Sequence, residues 1–116
     1  MGIELSQAQA LKLLHDVNLI LVRNDTPDLT LRQLSILLTV YLEAPPHTVR
    51  GLAEKLRVTK PVITRALDTM GMLGLVTRRR DEADRRNVLV QRTVAGALYL
   101  ENLGQILSRR ARELPR

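Results

Sequence analysis

Among the side chains of this 116-residue chain that can do chemistry, arginine dominates one short stretch. Residues 78–86 read RRRDEADRR, five arginines and three acids in nine positions. A guanidinium stays charged and presents a planar fork of N–H donors, which suits carboxylates, phosphates and guanine edges but makes no nucleophile or base. By itself such a stretch is either a solvated charge run or a surface that touches nucleic acid. The other reactive residue types are scarce. There is no cysteine, hence no thiol nucleophile, no disulfide and no cysteine zinc site. His15 and His47 are the only histidines, and neither has a carboxylate or second histidine at ligand spacing. They read as surface or interface residues, so no metal and no cofactor is expected. Without a nucleophile–base pair or clustered carboxylates, an enzyme is not expected either.

The position of the charge is more informative than its size. The formal net charge is +6, and residues 48–92 hold 11 Lys and Arg against five Asp and Glu. The remainder carries seven of each, so the whole excess sits in the middle of the chain. A basic centre between neutral flanks is what a phosphate-binding surface on a neutral scaffold looks like. No apolar run approaches the roughly 18 to 20 residues of a membrane span, and MGIELSQAQA lacks the pattern of a secretory signal. The expectation is one soluble, cytoplasmic domain over residues 1–116.

The elements that must position these arginines follow from apolar spacing and from punctuation by Pro and Gly. From about Ser6 to Val22, Leu11, Leu14, Val17 and Leu21 follow helical spacing, and Leu13, Leu19 and Ile20 widen the stripe. Thr30-Leu31-Arg32-Gln33 reads as a capping box opening a second helix to about Glu43, which Pro45 and Pro46 stop. Thr48 caps a short third helix with Val49, Leu52, Ala53 and Leu56 on one stripe. Three residues later Thr59 caps a fourth, with Pro61 in its first turn, Ile63, Ala66, Leu67 and Met70 on its stripe, and Gly74 as its left-handed stop. Two short amphipathic helices joined by a tight turn form a helix-turn-helix. The period then switches: Leu75–Arg80 and Asn87–Arg92 read as strands of a hairpin, with Val88 and Val90 on one face. From Thr93, a cap, a last helix of roughly 20 residues carries Leu100, Leu103, Leu107, Ala111 and Leu114. The fold class is therefore mainly α with a small β-hairpin wing, a winged helix-turn-helix. In that order the hairpin tip, with its arginines, lies beside the second helix of the pair.

Residues 52–96, LAEKLRVTKPVITRALDTMGMLGLVTRRRDEADRRNVLVQRTVAG, resemble the MarR family of bacterial transcriptional regulators. The wing carries the most specific part: Asp81, then Asp84-Arg85-Arg86, then Val88-Leu89-Val90, then Thr93 with Gly96. The resemblance implies dimerisation helices over residues 1–23 and 93–116 and a DNA-binding lobe over 30–92. It implies double-stranded DNA as partner, with Thr59, Lys60, Pro61, Thr64 and Arg65 on the recognition helix and Arg79, Arg85 and Arg86 on the wing. Arg65 can pair bidentately with guanine, and Arg86 is the residue for a narrow minor groove. Arg78, Arg79 and Arg80 are phosphate contacts or strand-surface charges, and Asp81 and Asp84 are expected to grip neighbouring arginines. A homodimer seam is expected at Leu11, Leu14, Leu100, Leu103, Leu107 and Leu114. A small-molecule effector of the family's kind points to His15, Tyr41 and Tyr99, although both tyrosines also read as helix-packing residues.

Rival functions fare worse on composition. Single-strand and RNA binders stack bases on aromatic rings, and this chain is 2% aromatic with no Phe or Trp. A winged-helix module that binds only protein would want an apolar face around Arg65, where the sequence is polar. The expectation is a homodimeric, sequence-specific binder of a pseudo-palindromic operator.

Overall fold

The computed structural model describes residue 2 and residues 4–115. Met1, Ile3 and Arg116, which belong to the expected terminal segments 1–23 and 93–116, lie outside the described residues. The elements run α1 (Gln7–Arg23), α2 (Leu31–Leu42), α3 (Val49–Leu56), α4 (Lys60–Met72), β1 (Val76–Arg80), β2 (Val88–Arg92) and α5 (Val94–Arg112). They form two compact units, one of Leu29–Leu100 and one of Met1–Asp28 with Glu101–Arg116. The first unit therefore runs beyond Arg92 into α5, which supplies residues to both. Among the described residues no helix is long and apolar enough to cross a membrane.

In the unit 29–100, α2 starts where the capping box requires. The Thr30 hydroxyl accepts the Gln33 N–H at 3.1 Å, and Gln33 Oε1 accepts the Thr30 N–H at 2.9 Å. α2 contributes Ile36, Leu37 and Val40 to the core, and α3 contributes Leu52 and Ala53. The cap of α3 is Thr48, whose Oγ1 accepts the Gly51 N–H at 2.9 Å. Arg57 ends α3 in the left-handed region, with φ 57°, so an ordinary side chain makes the bend that leads to α4. α4 buries Ile63, Ala66, Leu67 and Met70. Its stop is Gly74, at φ 76°, where glycine alone avoids strain. Thr59 stands at the cap position of α4 with Pro61 in the first turn, but its side chain makes no cap hydrogen bond. That corrects its assignment as a working cap.

The hairpin pairs Val76 with Arg92, Arg78 with Val90 and Arg80 with Val88. Each strand is one residue shorter than expected at its start. Leu75 is spent on the turn after Gly74, where its N–H reaches Met70 O at 2.9 Å. Asn87 closes the loop by accepting the Asp81 N–H at 3.0 Å. β2 also gains an unforeseen neighbour: Thr48 bridges Leu89, and the Val90 N–H donates to His47 O at 2.8 Å.

Where β2 passes into α5, several segments meet closely. The Tyr41 hydroxyl donates to Thr93 O at 2.6 Å and accepts the Thr93 N–H at 2.8 Å. The Thr93 hydroxyl donates to Gly74 O at 2.7 Å and accepts the Gly96 N–H at 3.0 Å, so Thr93 is a cap that also ties α5 to the end of α4. Arg92 donates to Val40 O at 2.9 Å, covering a carbonyl at the C-terminal end of α2. A Cβ on Gly96 would collide with Leu75 O and the Tyr41 hydroxyl.

In the other unit, Ser6 and Gln9 form a second capping box, and Gln9 Nε2 donates to Pro115 O at 2.8 Å. Val17 and Ile106 are buried, while Leu11, Leu14 and Leu107 stay 60%, 57% and 44% exposed.

Gly96→Ala must push against a backbone carbonyl and should cost roughly 1–3 kcal/mol, seen as a lowered thermal midpoint in circular dichroism. Gly71→Ala, with nothing within 4 Å of the added carbon, should instead gain roughly 0.5–1 kcal/mol by restricting the unfolded chain. Equal midpoints for the two variants would refute this account of the joint.

Candidate nucleic-acid interface

The outward face of α4 follows from its buried stripe. With Ile63, Ala66, Leu67 and Met70 turned inward, the 3.6-residue period leaves Pro61, Thr64, Arg65, Asp68 and Thr69 exposed, with Lys60 at the first helical position. Arg65 has no ion-pair partner among the described residues. It lines a recess of about 250 Å³ with Arg32, Val62 and Thr69. Asp68 is not free on this face: it holds Arg78 Nη2 at 2.7 Å, fastening β1 to α4. Arg78 is thereby a bracing residue of the hairpin rather than an uncommitted cation. Arg79, on the opposite face of β1, is exposed and unpaired among the described residues.

The wing loop is folded by its own charges. Asp84 accepts Arg86 Nε and Nη2, both at 2.9 Å, in a bidentate pair, and also accepts the Arg86 backbone N–H at 3.2 Å. The Arg86 side chain is nonetheless 83% exposed, so its remaining N–H donors face solvent. Asp84 thus does what its spacing suggested. Asp81 does not: it accepts the Ala83 backbone N–H at 2.9 Å and shapes the turn, because the loop sends its carboxylate back to the chain instead of to a guanidinium. Arg80 donates to Arg85 O at 3.1 Å, and Arg85 meets Glu82 at 3.3 Å, so both are partly spent on the loop.

The hydrogen bonds from Arg86 hold the Asp84 carboxyl below the usual carboxylate range, and the charge of Arg50 pushes it further down. Arg50, on the first turn of α3, is a site residue that the sequence reading missed. It lines a recess of about 200 Å³ with Lys60 and Thr64 of α4 and Arg86 of the wing loop, so three elements meet there. The available signal was its place on the exposed side of the Val49–Leu52–Ala53 stripe, inside the segment that holds the net charge.

The expected effector residues fare differently. Tyr41 gives its one hydroxyl proton to Thr93 O, leaving none for a ligand. Tyr41 and Tyr99 are partly buried against the core of the 29–100 unit, whereas His15 is exposed on α1 in the other unit. His47 Nε2 lies 3.1 Å from Glu43 O. Among the described residues no three His, Cys, Asp or Glu gather as a metal site would need.

With the helix-turn-helix and the clamped wing in place, comparison with known families is decisive. The MarR family model matches residues 29–88. The chain belongs to the MarR family. The B. subtilis (strain 168) protein called organic hydroperoxide resistance transcriptional regulator is 36% identical over 77 residues, 66% of this chain. Those residues are 52% of that relative, so the chain spans about half its length. Among solved structures, the transcriptional regulator BldR from Sulfolobus solfataricus is 27% identical with TM-score 0.63, covering 94% of this chain and 84% of BldR. The S. aureus MepR–DNA complex has TM-score 0.66 at 20% identity, covering 89% of this chain and 76% of that one, a likeness of fold. The MarR-family match includes α2, the helix-turn-helix and the wing through Val88.

Because its pKa is depressed in the fold, Asp84 should keep the clamp ionised above the ordinary carboxylate range and release it only as the pH falls through the lowered value. Carboxyl-carbon NMR should show Asp84 titrating below a free aspartate, and Arg86→Ala should return it towards the ordinary value. An Asp84 that titrates normally in both proteins would refute the clamp.

Proposed function

We propose that this MarR-family chain is a sequence-specific duplex-DNA-binding transcriptional regulator. The observation that carries the proposal is the pairing of two differently prepared arginines: Arg65 unpaired on the outer face of α4, and Arg86 exposed but held in a bidentate fork. In a helix-turn-helix the recognition helix lies in the major groove, where Arg65 is suited to the O6 and N7 of guanine. Arg86 suits the negative potential of a narrow, A·T-rich minor groove. Thr59, Lys60, Pro61 and Thr64 complete the helix side, and Arg79 and Arg85 supply charge to phosphates. The S. aureus MepR structure with DNA supports this reading by its fold. The hydroperoxide role in the name of the B. subtilis relative is a property of that protein.

The active species on this reading is a homodimer. The exposed Leu11, Leu14 and Leu107 are apolar surface that a second copy would cover, with Leu103 and Leu114 half-buried beside them in sequence and Leu100 already partly buried in the 29–100 unit. Two-fold symmetry would then select a pseudo-palindrome with half-sites roughly 10 bp apart, or a small multiple.

Selection from random-sequence DNA followed by footprinting would supply the operator, and binding isotherms would then separate the arginines. Arg65→Ala should lose roughly 1–3 kcal/mol and relax preference at one position per half-site. Arg86→Ala should lose affinity mainly where the flanks are A·T-rich. Arg79→Ala should weaken all sequences alike and lower the salt slope by roughly one unit. Uniform losses in all three would reduce RRRDEADRR to an electrostatic patch, and failure to select any duplex would favour a protein-binding module.

Light scattering should give about twice the 13.1 kDa of one chain. Leu107→Asp, which places a carboxylate in the seam at a cost of several kcal/mol, should shift that mass towards the monomer and weaken operator binding without touching a contact residue. A variant that stays dimeric and binds normally would move the seam elsewhere.

A further inference from the structure

We propose that the recess between the first turn of α3, the first turn of α4 and the wing seats one backbone phosphodiester, held by Arg50 and Lys60 beside the groove-directed Arg86. The inference rests on the duplex-binding reading above and adds to it a residue, Arg50, and a function for the space the three cations share. Three positive side chains from three elements line a recess of about 200 Å³, with Thr64 adding a hydroxyl. At a share of about 30 Å³ per water, this is room for roughly six waters, and a phosphate group can replace several of them. Neither Arg50 nor Lys60 has a hydrogen-bond or ion-pair partner through its side chain among the described residues. Asp84 is near enough to feel Arg50, but its carboxylate is already taken by Arg86. Like charges around one recess repel, and an anion placed among them removes that cost while gaining charge-assisted hydrogen bonds.

The identity of the anion follows from where the recess lies. Thr64 is on the face of α4 assigned to the major groove, and Arg86 is the side chain assigned to the adjacent minor groove. One sugar-phosphate strand separates a major groove from the minor groove beside it. A protein that reaches into both must straddle that strand, and the straddling point is the space between α4 and the wing, which is this recess. Arg50 approaches from α3, the helix that precedes the turn, and closes the third side. A phosphate gripped there fixes the distance between the two grooves being read, so the contact sets register without reading sequence.

The test combines Arg50→Gln with operator duplexes in which one phosphate at a time is replaced by a neutral methylphosphonate. The wild-type chain should lose roughly tenfold in affinity at one linkage per half-site, between the guanine position and the A·T flank. Arg50→Gln should lose about as much on the unmodified duplex, show a salt slope shallower by roughly one unit, and lose almost nothing more at that linkage. Arg65→Ala should remain sensitive to it. Multiplying losses for Arg50→Gln and the neutral linkage, or full affinity in Arg50→Gln, would overturn the phosphate seat while leaving the duplex-binding function intact. A wild-type chain that binds no duplex would remove both. Inorganic phosphate titrated without DNA, followed by the amide signals of Arg50 and Thr64, should produce saturation only well above millimolar concentration. Saturation below millimolar would mark a site for a free anion and overturn the backbone assignment.

Discussion

The close approach at Gly96 is the constraint on which the unit 29–100 depends. Tyr41 must bring its hydroxyl within hydrogen-bond reach of both backbone groups of Thr93, and only a residue without a Cβ leaves space for that. Once it is made, the start of α5 is fixed to α2, the Thr93 hydroxyl fixes it to Gly74 behind α4, and Arg92 closes a carbonyl of α2 from the neighbouring residue. The result is that β2 leaves the joint at a fixed angle. The wing is a two-stranded ribbon, marginal in water by itself. It has definite geometry because its base is held at this joint, its middle is bridged at Thr48 and Leu89, and its other strand is braced by the Arg78–Asp68 pair.

That anchoring sorts the arginines of the central segment. Arg78 and Arg92 spend their forks on the protein, and Arg80 and Arg85 spend part of theirs on the loop. Arg50, Arg57, Arg65 and Arg79 are left without an ion-pair partner among the described residues, and Arg86 is paired but exposed. The net positive charge was the first signal in the sequence, yet charge alone would assign every arginine the same role. The fold makes some of them structural and leaves others free of such ties.

Much of this was legible from short-range patterns, because caps, helical stripes and period-two alternation are local physics. Thr30 with Gln33, the stripes of α3 and α4, Gly74 and the Asp84–Arg86 pair all act between residues close in sequence. The features that escaped are those without a local mark. Arg57 takes the left-handed conformation usually given to glycine, so no residue type announced the turn's geometry. Tyr41 was a packing residue with a ligand-facing option, and its actual partner lies 52 positions away. Asp81 and Asp84 look equivalent in sequence, and only the loop's path sends one carboxylate to a backbone amide and the other to a guanidinium. Arg50 was hidden among exposed charges, since what distinguishes it is a recess assembled from three separate elements.

The clamp on Arg86 also explains how an acid fits the surface proposed to bind a polyanion. A carboxylate near phosphate is repulsive, and a bare loop of five arginines would avoid it. A free arginine, however, must give up rotamer entropy worth roughly 2 kcal/mol when it is fixed in a groove. Asp84 takes two donors of Arg86 at 2.9 Å and a backbone N–H at 3.2 Å, so the direction of the fork is set before any ligand arrives. The remaining donors stay in solvent, which keeps the pair's own contribution to stability small. In the proposed complex, repulsion between Asp84 and a DNA backbone would be softened by Arg50, whose charge also lowers the Asp84 pKa. On the proposed reading the acid at the tip acts together with Arg50, which ties the aim of Arg86 to the cations around the neighbouring recess.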